Sequence, residues 1–216
     1  QLCARSIGRQ DAGLWEIRRG WQEHSFTNLL CWAGLERLER IKRAGYLKAI
    51  RQDLTADRQR AAKALLRAVR EGSVRNGPDD SSHDAALAQL AILGYPDRKL
   101  CESTLWHIVQ DLSLKRDRQN TGFFYRYVRE DDFGKPDGAF VVCSLWIAQA
   151  LARLGSIDDA RTILDRVVTA GNHVGLLSEH FIPRTNEQCG NFPQAYSHVG
   201  LINAAFAVSP PWSDVL

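Results

Sequence analysis

Two stretches of this sequence carry residues suited to chemistry rather than to covering a helix. The first, Asp11-Ala-Gly-Leu-Trp15-Glu16-Ile-Arg18, reads as a loop or strand end that sets an aromatic ring beside a carboxylate and a guanidinium. The second, Gly175-Leu-Leu-Ser178-Glu179-His180-Phe181, lies inside a long stretch without helical period. Cleaving a sugar acetal needs one carboxyl that holds its proton for the leaving oxygen and a second carboxylate that activates water. An aromatic platform stacks on the apolar face of a pyranose, which suits Trp15 beside Glu16, and a water-excluding neighbour helps an acid keep its proton. The two glutamates lie 163 positions apart (179 − 16), so only folding can bring them together. Taken one at a time, each glutamate is more ordinary as a surface ion-pair partner, and His24, His180 and His198 read as structural histidines.

The elements that must position these residues are mostly helices. Phe26, Leu29, Leu30, Ala33, Leu38 and Ile41 follow helical spacing, and Gly45 ends that segment. A second helix is expected over 55–69 with Thr55 as its N-cap, a third over 82–93 closed by Gly94, and a fourth over 97–112. Residues 122–128 look extended and 132–138 turn-rich. Segments 138–154 and 157–169 read as a helical hairpin joined at Gly155-Ser156, and a last helix spans 193–208 with Pro193 in its first turn. Residues 171–191 lack helical period, and structureless connections of that length inside a domain are usually functional. Roughly seven helices with almost no strand predict an all-α domain of packed hairpins spanning 1–216.

Composition narrows the class. With 44% hydrophobic and 25% charged residues the chain is an ordinary globular sequence able to bury a core. Its net charge of +3 is mild, and the basic residues alternate with acids along helices without interleaved aromatics, which argues against a nucleic-acid partner. No apolar run is long enough to span a bilayer, so no membrane partner is expected. Five cysteines, widely spaced and without a CxxC or Cys/His cluster, support neither a metal site nor a full disulfide framework. Free thiols in apolar surroundings point to a reducing, cytoplasmic setting. The chain opens on Gln1 and contains no methionine, which reads as a piece of a longer protein.

The stretch Gly175-Leu-Leu-Ser-Glu-His-Phe-Ile-Pro-Arg-Thr-Asn-Glu-Gln-Cys-Gly-Asn-Phe-Pro-Gln-Ala-Tyr-Ser-His-Val-Gly-Leu-Ile-Asn-Ala-Ala205 resembles glycoside hydrolase family 15, which includes glucoamylases, glucodextranases and bacterial trehalases. Gly13-Leu-Trp-Glu-Ile-Arg18 is similar to the family's general-acid segment, and Cys31-Trp-Ala-Gly-Leu-Glu-Arg37 to the helix after it. Gly122-Phe-Phe-Tyr-Arg-Tyr127 and Gly138-Ala-Phe-Val-Val-Cys-Ser-Leu-Trp146 resemble two further blocks in the same order.

The resemblance implies Glu16 as general acid and Glu179 as general base. It implies Arg126 as a holder of sugar hydroxyls, Phe140 as a substrate-contacting aromatic and Trp15 as a wall against the sugar ring. Glu187, the rival base, would be structural, and Asn191-Phe-Pro-Gln194 would fix the loop that presents Glu179. It also implies an α/α toroid of twelve helices in six hairpins, here incomplete because the N-terminal helices are missing. Those helices would supply an aspartate and an arginine that grip the terminal glucose. Where many bacterial relatives carry His-Thr-His-Ser-Lys, this chain reads His24-Ser-Phe-Thr-Asn28. Substrate therefore stays open among starch-like oligosaccharide, isomaltose-like saccharide and trehalose.

The implied activity is inverting hydrolysis of α-glucosidic bonds from the non-reducing end, with an α-glucoside as partner and no cofactor. A non-catalytic glucan-sensing domain, or a truncated inactive remnant of the same fold, is the alternative. Inversion would place the Glu16 and Glu179 carboxyls roughly 6.5–9.5 Å apart across a pocket that also holds Arg126.

Overall fold

Local signals account for most element ends in the computed structural model, which describes residues 2–18, 20–46, 53–116, 119–132 and 134–215. Position 133, inside the expected 132–138 turn, lies outside the described residues. Contacts divide the chain into two compact units, Gln1–Ser82 and His83–Leu216.

In the first unit a short helix α1 (Leu2–Ser6) precedes a two-residue hairpin, β1 (Gln10–Asp11) paired antiparallel with β2 (Gln22–Glu23). Helix α2 (Ser25–Arg43) then buries Leu29, Trp32, Ala33 and Leu35 along one side. It packs on α3 (Leu54–Leu66), whose Ala61, Ala64 and Leu65 close the core. Arg58 Nε crosses to Glu39 Oε2 at 2.9 Å and pins the pair. The cap of α3 is Asp53 and not the expected Thr55. Its carboxylate accepts from the Thr55 and Ala56 amides, the geometry a short acidic side chain provides at a helix start. The helix stops at Leu66, three residues short of the expected end, because Val69 enters a hairpin of β3 (Val69–Arg70) with β4 (Ser73–Val74). Glu71 and Gly72 both take positive φ there, the requirement of a two-residue turn with the twist of the strands.

Asp80 organises the end of this unit. It accepts from Gln22 Nε2, Asn76 Nδ2, Ser82 N and Ser82 Oγ at 2.6–3.1 Å. Burial raises its pKa, but these donors outweigh burial and leave it below the ordinary aspartate value.

The second unit begins with a correction. The helix expected over 82–93 is a 3-10 turn, Ala85–Ala88, followed by the one-turn α4 (Gln89–Ile92). Asp84 caps it from an extended conformation, and the Ala85 amide donates to the Arg126 carbonyl, so the first residues are tied to a distant strand end. Helix α5 (Arg98–Leu112), capped by Asp97, matches its expected span and leads into the hairpin β5 (Ser113–Arg116) and β6 (Gln119–Phe124).

Helix α6 (Val141–Arg153) is the centre of this unit, buried at nearly every position from Val141 to Ala150. A helix apolar all round must be covered all round. Helices α7 (Ile157–Thr169) and α8 (Ala195–Val208) cover it, with α7 turning back at Gly155 as expected. Helix α8 meets α6 through Ser197, Gly200 and Ala204; a Cβ at Gly200 would lie 3.1 Å from Leu145 Cδ1. Its other side leaves Tyr196, Val199, Ile202 and Phe206 exposed, a continuous apolar stripe. Helix α8 starts at Ala195 with Gln194 as its cap residue, so Pro193 precedes the helix instead of opening it.

The stretch 171–191 is not structureless. It contributes β8 (His180–Ile182) and β9 (Glu187–Cys189), which join β7 (Ala139–Phe140) in a three-stranded antiparallel sheet. Ala139 faces Phe181 and Phe140 faces His180; His180 in turn faces Cys189. Strands of two or three residues are too short for alternation to show in sequence. The class remains all-α: helices supply both cores, and the strands form small hairpins at their ends. Among the described residues no helix is long and apolar enough to cross a membrane.

Candidate active site

Glu16 sits on a tight turn of the first unit. Gly13 takes φ +68 and its amide donates to Asp11 Oδ1 at 2.6 Å. Ile17 N then closes on Ala12 O at 2.9 Å, and Glu16 N on Gly13 O at 3.3 Å. A Cβ at Gly13 would fall 2.8 Å from His24 Nε2, so the turn rests directly on that buried imidazole and only glycine fits. His24, read from the sequence as structural, thus supports the turn carrying Glu16 from below. Glu16 itself is exposed and has φ +53, a left-handed conformation that costs a non-glycine residue about 1–2 kcal/mol. Two other described non-glycine residues share such a φ, Glu71 and Asn186, and both lie between paired strands. Glu16 lies in the longer connection between β1 and β2, away from either strand, and strain of this kind collects where side-chain placement matters. Trp15 beside it is half-buried.

Glu179 is held far more completely. Its backbone extends the pairing just ahead of β8: Val141 N donates to Glu179 O at 3.0 Å, and Glu179 N donates to Asn191 O at 2.9 Å. Its carboxylate accepts from the Asn191 amide at 3.2 Å and from Asn191 Nδ2 at 3.1 Å, both at Oε2, and from Gln194 Nε2 at 3.3 Å at Oε1. His180 Nδ1 lies 3.6 Å from Oε2. The carboxylate occupies the space above Gly190, where a Cβ would come within 2.8 Å of Oε2. About a fifth (21%) of the side chain stays accessible.

Residues behind the loop lock it. Ser178 donates through its amide to Gln188 Oε1 at 2.7 Å and through its hydroxyl to the His180 carbonyl. Its own carbonyl accepts from Ser197 Oγ at 2.7 Å. His198 Nε2 accepts from the Leu177 amide at 3.3 Å, a contact to the backbone of the loop. Glu187 is exposed at the start of β9 and accepts from Thr185 Oγ1 at 2.8 Å, a turn contact.

Arg126, Phe140 and His180 gather beside this loop. Arg126 Nη2 bonds Asp131 Oδ2 at 2.5 Å, and the Tyr127 hydroxyl donates to the same oxygen at 2.5 Å. Burial, and then that bond, push the Tyr127 phenol well above its usual range, so it remains a donor. The Arg126 guanidinium carbon lies 5.9 Å from the Phe140 ring centre and 4.8 Å from that of Tyr127. Phe140 is buried and meets His180 edge-on at 4.6 Å. Burial holds His180 below the ordinary histidine pKa; Glu179 pulls it up and Arg126 pushes it further down. A second ion pair, Arg129 to Asp84 at 3.1 Å, with Arg129 stacked 3.8 Å over the Tyr127 ring, braces the same strand end.

Of the residues singled out in the sequence, the second unit brings Glu179, Arg126 and Phe140 into one neighbourhood. Glu16 and Trp15 belong to the turn of the first. Sequence reasoning missed Gly190 and Asp131. The Asn191-Phe-Pro-Gln194 motif did signal the loop's support, although not that its two amides reach the carboxylate itself. Asp131, five residues beyond Arg126, has no periodic relation to it that a sequence would display.

The family model described as glycosyl hydrolases family 15 matches residues 3–206. A trehalase of Mycolicibacterium smegmatis is 31% identical over 211 residues, covering 92% of this chain and 30% of its own length. A trehalase of Thermoplasma volcanium is 28% identical, covering 90% and 31%. The chain therefore spans about a third of these relatives. Among solved structures, a wild-type glycosidase superposes with a TM-score of 0.70 at 20% identity, over 90% of this chain and 54% of its own. A variant glycosidase in complex with glucose gives 0.73 at 18%, over 93% and 55%.

Proposed function

The chain belongs to glycosyl hydrolase family 15, and from that premise we propose that it carries the two catalytic carboxylates of an inverting α-glucoside hydrolase whose substrate is trehalose. Glu16 donates its proton to the glycosidic oxygen as the bond to the anomeric carbon breaks. Glu179 takes a proton from water as that water attacks the opposite face of the same carbon. Arg126 directs its planar donor fork at sugar hydroxyls, and Trp15 excludes water beside the acid.

The observation that carries this reading is the state of the Glu179 carboxylate. Oε2 takes two hydrogen bonds and Oε1 one. A carboxylate oxygen has two lone pairs, so Oε1 keeps one for a water proton while the group is held in orientation. The names of the relatives favour trehalose over the longer oligosaccharides.

The test is the anomeric configuration of the first product formed by the full-length polypeptide, followed by NMR before mutarotation. Inversion at trehalose releases one β-glucose for each α-glucose, because the leaving sugar keeps its own configuration. Release of α-glucose alone would mean retention and a different pair of roles. Faster turnover of maltose or isomaltose would move the substrate assignment, and no glucose from any of the three would leave a non-catalytic domain.

A further inference from the structure

The hydrolytic reading uses none of the five cysteines, yet two of them lie side by side in the first unit. Cys3 on α1 and Cys31 on α2 meet reciprocally. Cys3 Sγ is 3.5 Å from the Cys31 carbonyl oxygen, and Cys31 Sγ is 3.4 Å from the Cys3 carbonyl oxygen. Both are free thiols on helices that pack together, 28 residues apart in sequence. Their exposure differs: Cys3 is half-buried, while Cys31 is 6% exposed. Cys101, by contrast, bonds the Tyr95 carbonyl, and Cys189 lies on β9.

We propose that Cys3 and Cys31 are a modification site, a reversible disulfide that joins α1 to α2 and closes the segment carrying Trp15 and Glu16. The segment from 3 to 31 contains β1, the acid turn and β2, so a bond at its base restrains everything between. The oxidant is a peroxide. It transfers one oxygen to the Cys3 sulfur, giving a sulfenic acid and, from hydrogen peroxide, one water. The Cys31 sulfur then attacks the Cys3 sulfur; the S–OH bond breaks, and hydroxide leaves with the Cys31 proton as a second water. Two thiols have together lost two electrons. Burial, then the neighbouring Cys3 and Asp11, push the Cys31 thiol up to about 12. Cys31 therefore stays protonated and resists the oxidant itself, which makes Cys3 the point of entry and the closing step faster at higher pH.

The crosslink stands on the first unit alone; its bearing on turnover rests on the reading of Glu16 as the acid. The experiment treats the folded chain with a few equivalents of hydrogen peroxide, blocks remaining thiols with iodoacetamide and maps the peptides by mass spectrometry. The five thiols should fall by two, with one linked peptide joining Cys3 to Cys31, reversed by dithiothreitol. The Cys3→Ser variant should form no linked peptide at the same dose. Amide exchange over residues 12–17 should slow in the oxidised form. A Cys3 sulfinic acid without a linked peptide, or a link to another cysteine, overturns the pairing. A Cys3–Cys31 link with unchanged exchange over 12–17 overturns its hold on the acid turn. None of these readouts depends on glycosidase activity, so a failed assay and a failed crosslink remain distinguishable.

Discussion

The turn that carries Glu16 and the loop that carries Glu179 place a glutamate by opposite means. Around Glu179 the backbone is hydrogen-bonded on both sides at the end of a sheet, and three donors fix the carboxylate. Around Glu16 two backbone hydrogen bonds and one packed glycine set a turn, and the side chain projects from a left-handed residue into solvent. Glu179 is over-determined by its own neighbourhood, whereas the placement of Glu16 is imposed through backbone strain. That difference suits the two proposed roles: a base must present one oxygen to a small water, while an acid must release its proton to a departing group. Removing side-chain chemistry should therefore damage both sites, but removing local structure should damage them unequally.

The largest effect should come from Glu179→Gln. The amide keeps shape and part of the hydrogen bonding but cannot take the proton from water, so turnover in the full-length polypeptide should drop by about a hundredfold or more. Trehalose binding measured by calorimetry should survive. Near-normal turnover would pass the role of base to Glu187.

Glu16→Gly tests the other side of the comparison. Loss of the acid should slow trehalose cleavage by about a hundredfold, while α-glucosyl fluoride, whose leaving group needs little protonation, should be turned over far better. The same change relieves the positive φ, so thermal unfolding should show a gain of about 0.5–1 kcal/mol. A variant that loses stability instead would mean that Glu16 makes contacts worth more than its strain.

Asn191→Ala removes one of the two donors to Oε2 and leaves the backbone amide in place. A hydrogen bond to a charged group is worth about 1.5 kcal/mol here, hence about a tenfold loss in kcat with KM little changed. An equal rise in KM would show that Asn191 binds sugar instead of orienting the base.

The smallest expected effect is in pH dependence. Burial lowers the His180 pKa on folding, so the unfolded chain takes up a proton first as pH falls. Stability should be full above the ordinary histidine value of about 6.5 and decline below it, until the lowered folded pKa is passed. One group contributes less than about 1.4 kcal/mol per pH unit, and urea titrations of His180→Gln should show a flatter decline over that window. An unchanged slope would assign the decline to carboxylates such as Asp80, whose contribution is lost only at more acidic pH.

Residue patterns anticipated much of this molecule. The hairpin of α6 and α7 was legible to within a few residues, because its apolar positions and Gly155 are local signals. Helix α5 was legible for the same reason. The helix expected over 82–93 was not, since the Ala85 amide is claimed by the Arg126 carbonyl, a partner 41 positions away (126 − 85). The strands of the 171–191 stretch were invisible because the pairing of β8 with Ala139 and Phe140 is non-local and each strand has only three residues, too few for alternation to show.

By itself the sequence determined the all-α class and the family, since these follow from helical spacing and ordered motifs; it put forward Glu16 and Glu179 only through the family resemblance. Only the tertiary structure decided that Asn191 and Gln194 bond the Glu179 carboxylate, that Gly190 leaves room for it, and that Asp131 anchors Arg126. It likewise decided that His24 lies beneath Gly13 and that Cys3 meets Cys31. Each of these depends on atoms brought together by chain segments with no periodic relation, and close approach of that kind is a property of packing, which no local pattern encodes.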